Sequence, residues 1–137
     1  MSKPAILINL NRCTGCWTCS LACKQGNDLP QDEYWQFVRT MNCGKGIDRP
    51  SGIWPNLRME WMPIHTTDCT LCARRTAEGY EPYCVYNCSN DAMFYGDISD
   101  AESPISKKIE EFLEKGFKIF QEPEWERSNR NIYYVQK

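Results

Sequence analysis

Two groups of four cysteines constrain this chain more than any other feature. The first is Cys13-Thr-Gly-Cys16-Trp-Thr-Cys19-Ser-Leu-Ala-Cys23, a C-x2-C-x2-C-x3-C run. The second is Cys69-Thr-Leu-Cys72, eleven residues, then Cys84-Val-Tyr-Asn-Cys88, a C-x2-C-x11-C-x3-C run. Each group ends in a C-x3-C step, and Cys43 is left over from a total of nine. Cysteines three apart in a turning loop can converge on one cuboidal iron–sulfur cluster, each taking a different iron. A cysteine four residues further on starts a helix and points away, so it cannot easily close the same cage.

In chains that carry two such clusters, the fourth cysteine of each run ligates the other cluster. Applied here, this rule predicts two crossed sets: Cys13, Cys16, Cys19 with Cys88, and Cys69, Cys72, Cys84 with Cys23. The expected cofactors are two [4Fe-4S] clusters. Crossing makes residues from both ends of a long segment ligands of the same cluster, so each cluster closes a large loop. That matters because only 25 of 137 residues are Leu, Ile, Val or Phe, and so lean a core needs another source of stability. A net charge of -2 excludes a disordered polyelectrolyte and offers no basic stripe for nucleic acid.

Other chemistries compete for the same thiols. Zinc could use the second run taken alone, but the first is a poor zinc pattern. A disulfide framework is disfavoured by the odd count, and haem attachment by the lack of a C-x-x-C-H. The opening MSKPAILINLNRC does not read as a secretory leader, and no apolar run is long enough to span a bilayer. The expectation is a reducing, cytoplasmic location, or export together with a signal-bearing partner. Cys43 reads as a spare loop thiol, and the single His65 as a plain strand residue. Trp17, between two ligands, is expected to shield a cluster face.

Ala5–Asn9 reads as a strand leading into the first cysteine loop, and Ser20–Gln25 as a short helix stopped by Gly26. Residues 26–56 show no sustained period and read as an insertion, with a strand over 34–41. Alternation predicts a strand over Leu57–Met62, and another after Cys88 ended by Gly96. Ser103-Pro104 suits a helix start. Ile105, Ile109, Phe112 and Leu113 follow at helical spacing and Gly116 closes the helix. Phe117–Phe120 and Ile132–Val135 are final strands, around a polar loop with Trp125. The predicted class is α+β: a ferredoxin-like, pseudo-two-fold domain with a long insertion and a C-terminal helix/strand extension. A single domain over 1–137 would divide into a first cluster half (1–25), insertion (26–56), second half (57–98) and extension (99–137).

Beyond spacing, Cys69-Thr-Leu-Cys72-Ala-Arg-Arg-Thr-Ala-Glu-Gly79-Tyr-Glu-Pro82-Tyr-Cys84-Val85 and Ala92-Met-Phe-Tyr-Gly96-Asp resemble the last cysteine group of the iron–sulfur subunits of the dimethyl sulfoxide reductase family. The stretch from Cys13 to Lys24 resembles their first group, and Ile132–Val135 resembles their C-terminal region. Those subunits typically carry four groups and four clusters; this chain has two groups. The resemblance implies a shortened electron-transfer subunit, non-catalytic itself. It would serve a large catalytic subunit with a molybdenum or tungsten bis-pterin centre, and exchange electrons with a further donor or acceptor. Ser89 departs from the family's usual Pro, and Lys24 likewise stands where ferredoxins often have Pro.

No nucleophilic or phosphate-binding motif appears, so the expected chemistry is one-electron relay rather than turnover of an organic substrate. Arg12, Lys24, Arg74 and Arg75 lie beside ligands and either raise a potential or sit solvated. Two oxidised clusters, each about -2 with its thiolates, would take the formal charge from -2 to about -6, favouring a partner with basic patches. The insertion, with Trp35 and Trp54, is the expected partner-facing surface. A free two-cluster ferredoxin and a zinc-stabilised interaction module are the alternatives.

Overall fold

The computed structural model describes residues 3–40, 50, 52–121 and 131–136. Cys43 and Trp125 lie outside the described residues. Strand β1 (Pro4–Asn9) is flanked by β4 (Met93–Asp97), antiparallel, and by β6 (Ile132–Gln136), parallel. Strand β5 (Lys118–Phe120) completes the sheet beside β6, in the order β4-β1-β6-β5. A second sheet holds only β2 (Gln36–Thr40) and β3 (Trp61–His65), paired antiparallel. Between these strands lie α1 (Thr18–Gly26), α2 (Ala73–Thr76), α3 (Tyr83–Asn87) and α4 (Pro104–Glu114). The class is α+β, as expected.

The unbroken apolar run of β1 has a simple cause. As an inner strand it is covered on both faces, so its residues need not alternate with polar ones. Ile6 and Ile8 point toward Val38, Met62, Ile64 and the cysteine loops. Ala5 and Leu7 point the other way, toward Ile105 and Phe112 of α4. The fold thus has two apolar layers either side of one sheet, and Cys19, Cys84 and Cys69 belong to the first. Tyr134 of β6 ties the two sheets together by donating its hydroxyl proton to the Pro63 carbonyl at 2.6 Å.

Helix α4 starts where predicted. Ser103 is its N-cap, accepting from the Ser106 amide, and Pro104 follows. Gly96 does not end β4 but lies inside it, opposite Ala5. A Cβ there would stand 2.8 Å from Ile105 Cγ2, so the two small residues make room for α4. Leu113 leaves the expected apolar stripe and is 55% exposed, whereas Ile105 and Phe112 are buried.

The strand expected over Leu57–Met62 lies instead at Trp61–His65. Pairing with β2 decides the register, burying Met62 and Ile64 and leaving Leu57 outside. Pro63 is tolerated because every strand of a two-stranded sheet is an edge. The strand expected over 34–41 forms as β2, so part of the insertion contributes to the core.

Candidate metal centres

The first cysteine loop turns by left-handed backbone. Gly15 has φ +70° and Trp17, the residue before α1, has φ 64°. Cys13 and Cys16 sit on this loop, while Cys19 and Cys23 lie on α1 one turn apart. Cys88 follows α3 directly. Cys13, Cys16, Cys19 and Cys88 ring a single cavity, walled otherwise by apolar groups such as Val38, Pro63 and Met93. Trp17 lines the same cavity and is 45% exposed. Asn90 donates its amide to Thr14 Oγ1 at 2.8 Å, joining the two loops across 76 residues of sequence.

The second loop turns the same way, with Leu71 at φ 57° and Cys72 at φ 53°. The Leu71 amide donates to Cys69 Sγ at 3.4 Å, and the Ala92 amide to Cys88 Sγ at the same distance. Asn27, just past α1, aims its amide at Cys23 Sγ (3.6 Å) and lies 4.0 Å from Cys72 Sγ. One side chain therefore spans a cysteine from each run.

The thiols sort into two neighbourhoods by their mutual repulsion. Burial, with repulsion from Cys13, Cys88 and Cys16, pushes Cys19 up to about 12. Burial, with repulsion from Cys69 and Cys72, does the same to Cys23. Cys69 is pushed up to about 11 by burial, with Cys72 adding to it. Burial and then Cys69, Cys19, Cys72 and Cys23 raise Cys84 well above the ordinary thiol range, so Cys19 and Cys84 link the two sets. Cys13 is raised by burial, while Cys16, at the surface, is lowered chiefly by the Thr18 hydroxyl.

Buried thiols that resist ionisation need positive charge beside them before they become thiolates. Sulfur donors, N–H groups aimed at sulfur and an apolar wall together fit an iron–sulfur core. Among the described residues, no three Cys, His, Asp or Glu side chains close on one point as a single-ion site requires.

No family model matches the sequence. Known proteins do. A putative dimethyl sulfoxide reductase iron-sulfur subunit of Halobacterium salinarum is 25% identical, over 82% of this chain and 72% of that protein. An anaerobic dimethyl sulfoxide reductase chain of Haemophilus influenzae is 30% identical, over 68% of this chain and 41% of its own length. A protein described as an NrfC homolog, also from Haemophilus influenzae, is 38% identical over 80% of this chain and 71% of its length. This protein belongs to the iron–sulfur subunits of the dimethyl sulfoxide reductase family. It spans less than half the length of the Haemophilus reductase chain.

Two of the four cations beside the cysteines of this iron–sulfur subunit are committed elsewhere. Lys24 Nζ donates to the carbonyls of Pro30, Gln31 and Glu33 and stands 4.0 Å over the Tyr34 ring, pinning the insertion to α1. Arg75 donates to the Glu81 carbonyl and lies among the rings of Tyr80, Tyr83 and Tyr86. Arg12 and Arg74 are exposed. Sequence reasoning treats His65 as a plain strand residue, yet its Nε2 lies 3.7 Å from Cys84 Sγ, with both groups buried. Burial lowers the imidazole to about 3, so it is neutral. Its place just ahead of Cys69, at the end of a strand feeding the loop, was the available signal.

Proposed function

We propose that this iron–sulfur subunit holds two [4Fe-4S] clusters and relays electrons to or from the molybdenum or tungsten bis-pterin centre of a large catalytic subunit. Cys13, Cys16, Cys19 and Cys88 would hold the first cluster, and Cys69, Cys72, Cys84 and Cys23 the second. The observation that carries this reading is the cavity ringed by cysteines from both runs. The strand pairing supports a ferredoxin-like pseudo-two-fold plan over a single domain. β1 and β2, around the first run, pair with β4 and β3, around the second.

Bound clusters supply one-electron redox with the added charge spread over several irons and sulfides. The chain's own residues supply the environment. The apolar walls of the first cavity exclude water, and the Ala92 and Leu71 amides offset thiolate charge at Cys88 and Cys69. Cys16 and Trp17 bring the first set to the surface, where electrons would enter or leave. Ile53 and Trp54, 84% and 79% exposed, give the insertion an apolar patch suited to a partner subunit.

The Halobacterium alignment runs over 191 positions, more than the 137 residues of this chain, so that subunit has residues this chain lacks within the matched region. This agrees with loss of a middle pair of clusters. No helix among the described residues is long and apolar enough to cross a membrane. Anoxic affinity purification tests the whole reading. The expected result is a brown protein with broad absorption near about 400 nm and about eight irons per chain, accompanied by a large pterin-containing chain. A colourless, iron-free preparation would refute the clusters; about four irons would refute the count.

A further inference from the structure

Three buried side-chain polar atoms among the described residues have no hydrogen-bond partner: Gln36 Nε2, Gln36 Oε1 and His65 Nδ1. All three belong to one cross-strand pair, because Gln36 of β2 stands directly opposite His65 of β3. Opposed residues in an antiparallel pair carry their Cβ atoms about 4.5–5.5 Å apart on one face of the sheet. Gln36 is 1% exposed and His65 2%, so bulk water does not compensate them. Buried polar groups that stay unpaired are selected against unless they do something. The remaining ring atom, His65 Nε2, faces Cys84 Sγ at 3.7 Å.

A neutral imidazole carries one N–H and one lone pair. With Cys84 ionised and bound, its sulfur has no proton to give. A lone pair on Nε2 would then face a thiolate, whereas an Nε2–H would donate to it. That choice leaves the lone pair on Nδ1, and Gln36, the residue directly opposite, has an amide donor without other employment. A Gln36 rotamer that turns its NH2 group to Nδ1 would fix the tautomer, as second-sphere partners of metal-site histidines do.

We propose that Gln36 and His65 form a buried relay that holds Nε2–H on Cys84 Sγ and thereby sets the reduction potential of the centre containing Cys84. This rests on the reading of Cys84 as a cluster ligand. A hydrogen bond to a ligand sulfur withdraws charge, favours the more negative reduced form and raises the potential. Low local dielectric strengthens it. His65 is thus a potential-setting residue and Gln36 a positioning residue acting through it.

His65 is the only histidine in the chain, so a 15N-histidine label reports on one imidazole. The test uses the full chain prepared without oxygen, reduced, and studied by pulsed EPR and by EPR-monitored redox titration. The expected result is a 15N coupling to one reduced cluster, lost in His65→Phe. That variant should lower the potential of one cluster signal and leave the other in place. His65→Gln, which keeps an N–H donor, should recover part of the shift, and Gln36→Leu should produce a smaller shift of the same sign. Cluster signals without any 15N coupling in the unsubstituted chain would overturn the proposal, even if His65→Phe failed to fold. So would unchanged potentials in a folded His65→Phe. A chain without any cluster signal would instead remove the functional reading beneath it.

Discussion

Gly15 offers the sharpest test of how the first loop is held. Its φ of +70° lies in the left-handed region, and a Cβ there would sit 2.5 Å from Trp61 Cγ and 2.6 Å from Cδ1. Gly15→Ala therefore meets two separate costs. An L-residue in the left-handed region costs about 1–2 kcal/mol, and forcing a methyl into the packed face of an indole costs about 1–3 kcal/mol. Together they predict a loss of about 2–5 kcal/mol, which at a urea slope of about 2 kcal/mol per molar lowers the midpoint by about 1–2.5 M. The measurement is urea unfolding of the holo-chain under fixed anoxic conditions, followed by far-UV circular dichroism. A double-mutant cycle with Trp61→Ala separates the two costs. Removing the ring abolishes the clash and leaves the backbone cost, so the pair should couple by about 1–3 kcal/mol. A Gly15→Ala midpoint unchanged from the parent would refute the reasoning. Absence of coupling to Trp61 would refute its steric half.

Removing iron with a chelator should abolish the cooperative thermal transition, because clusters held by the proposed crossed sets would close the loops that the lean core cannot; a transition that survives complete iron removal would count against this. Tyr134→Phe should destabilise by about 1–3 kcal/mol, since it leaves the Pro63 carbonyl buried without its donor, while the visible spectrum stays unchanged. Asp97 accepts from the Ser99 hydroxyl and the Lys3 amide, which hold its carboxyl below the ordinary 3.8. Because the folded value is depressed, its contribution is fully present above the unfolded value and fades as pH falls through the folded one. Asp97→Asn should flatten the acid limb of the stability curve below about pH 4, and an NMR titration placing Asp97 at or above the ordinary value would remove the basis for this.

What could be read from the sequence follows from how local each signal is. Cysteine spacing is local, and so are the N-cap of α4 and the apolar run of β1; the last two placed their elements correctly, and the first led to the cavity that the cysteines ring. The position of β3 departs from its expected place because alternation over Leu57–Met62 is decided by pairing with β2, across an insertion whose sequence says nothing about register. Leu113 fits a helical stripe by spacing, but α4 meets a sheet whose landing site is set by Ala5 and Gly96, one on each of two paired strands. His65 escapes notice for a related reason: nothing in Met62-Pro-Ile-His-Thr-Thr marks that Gln36 lies opposite it or that Cys84 closes behind it. Parallel pairing of β6 with β1 brings distant parts of the chain together and has no short-range signature at all.

The cysteine crossing proposed above and the strand pairing would be two expressions of one constraint. β1 carries the chain into the first run yet pairs with β4, which follows the second. β3 enters the second run yet pairs with β2, which follows the first. Cys23, on α1, and Cys88, just past α3, end their runs, and each lies among cysteines of the other half. Neither half completes its sheet alone, and under the proposed ligand sets neither would complete its set of sulfurs, so formation of the sheets and binding of the clusters would be coupled. Substituting Cys23 or Cys88 should therefore loosen both halves together, whereas losing a side-chain contact confined to one loop, such as Asn90 to Thr14, should not.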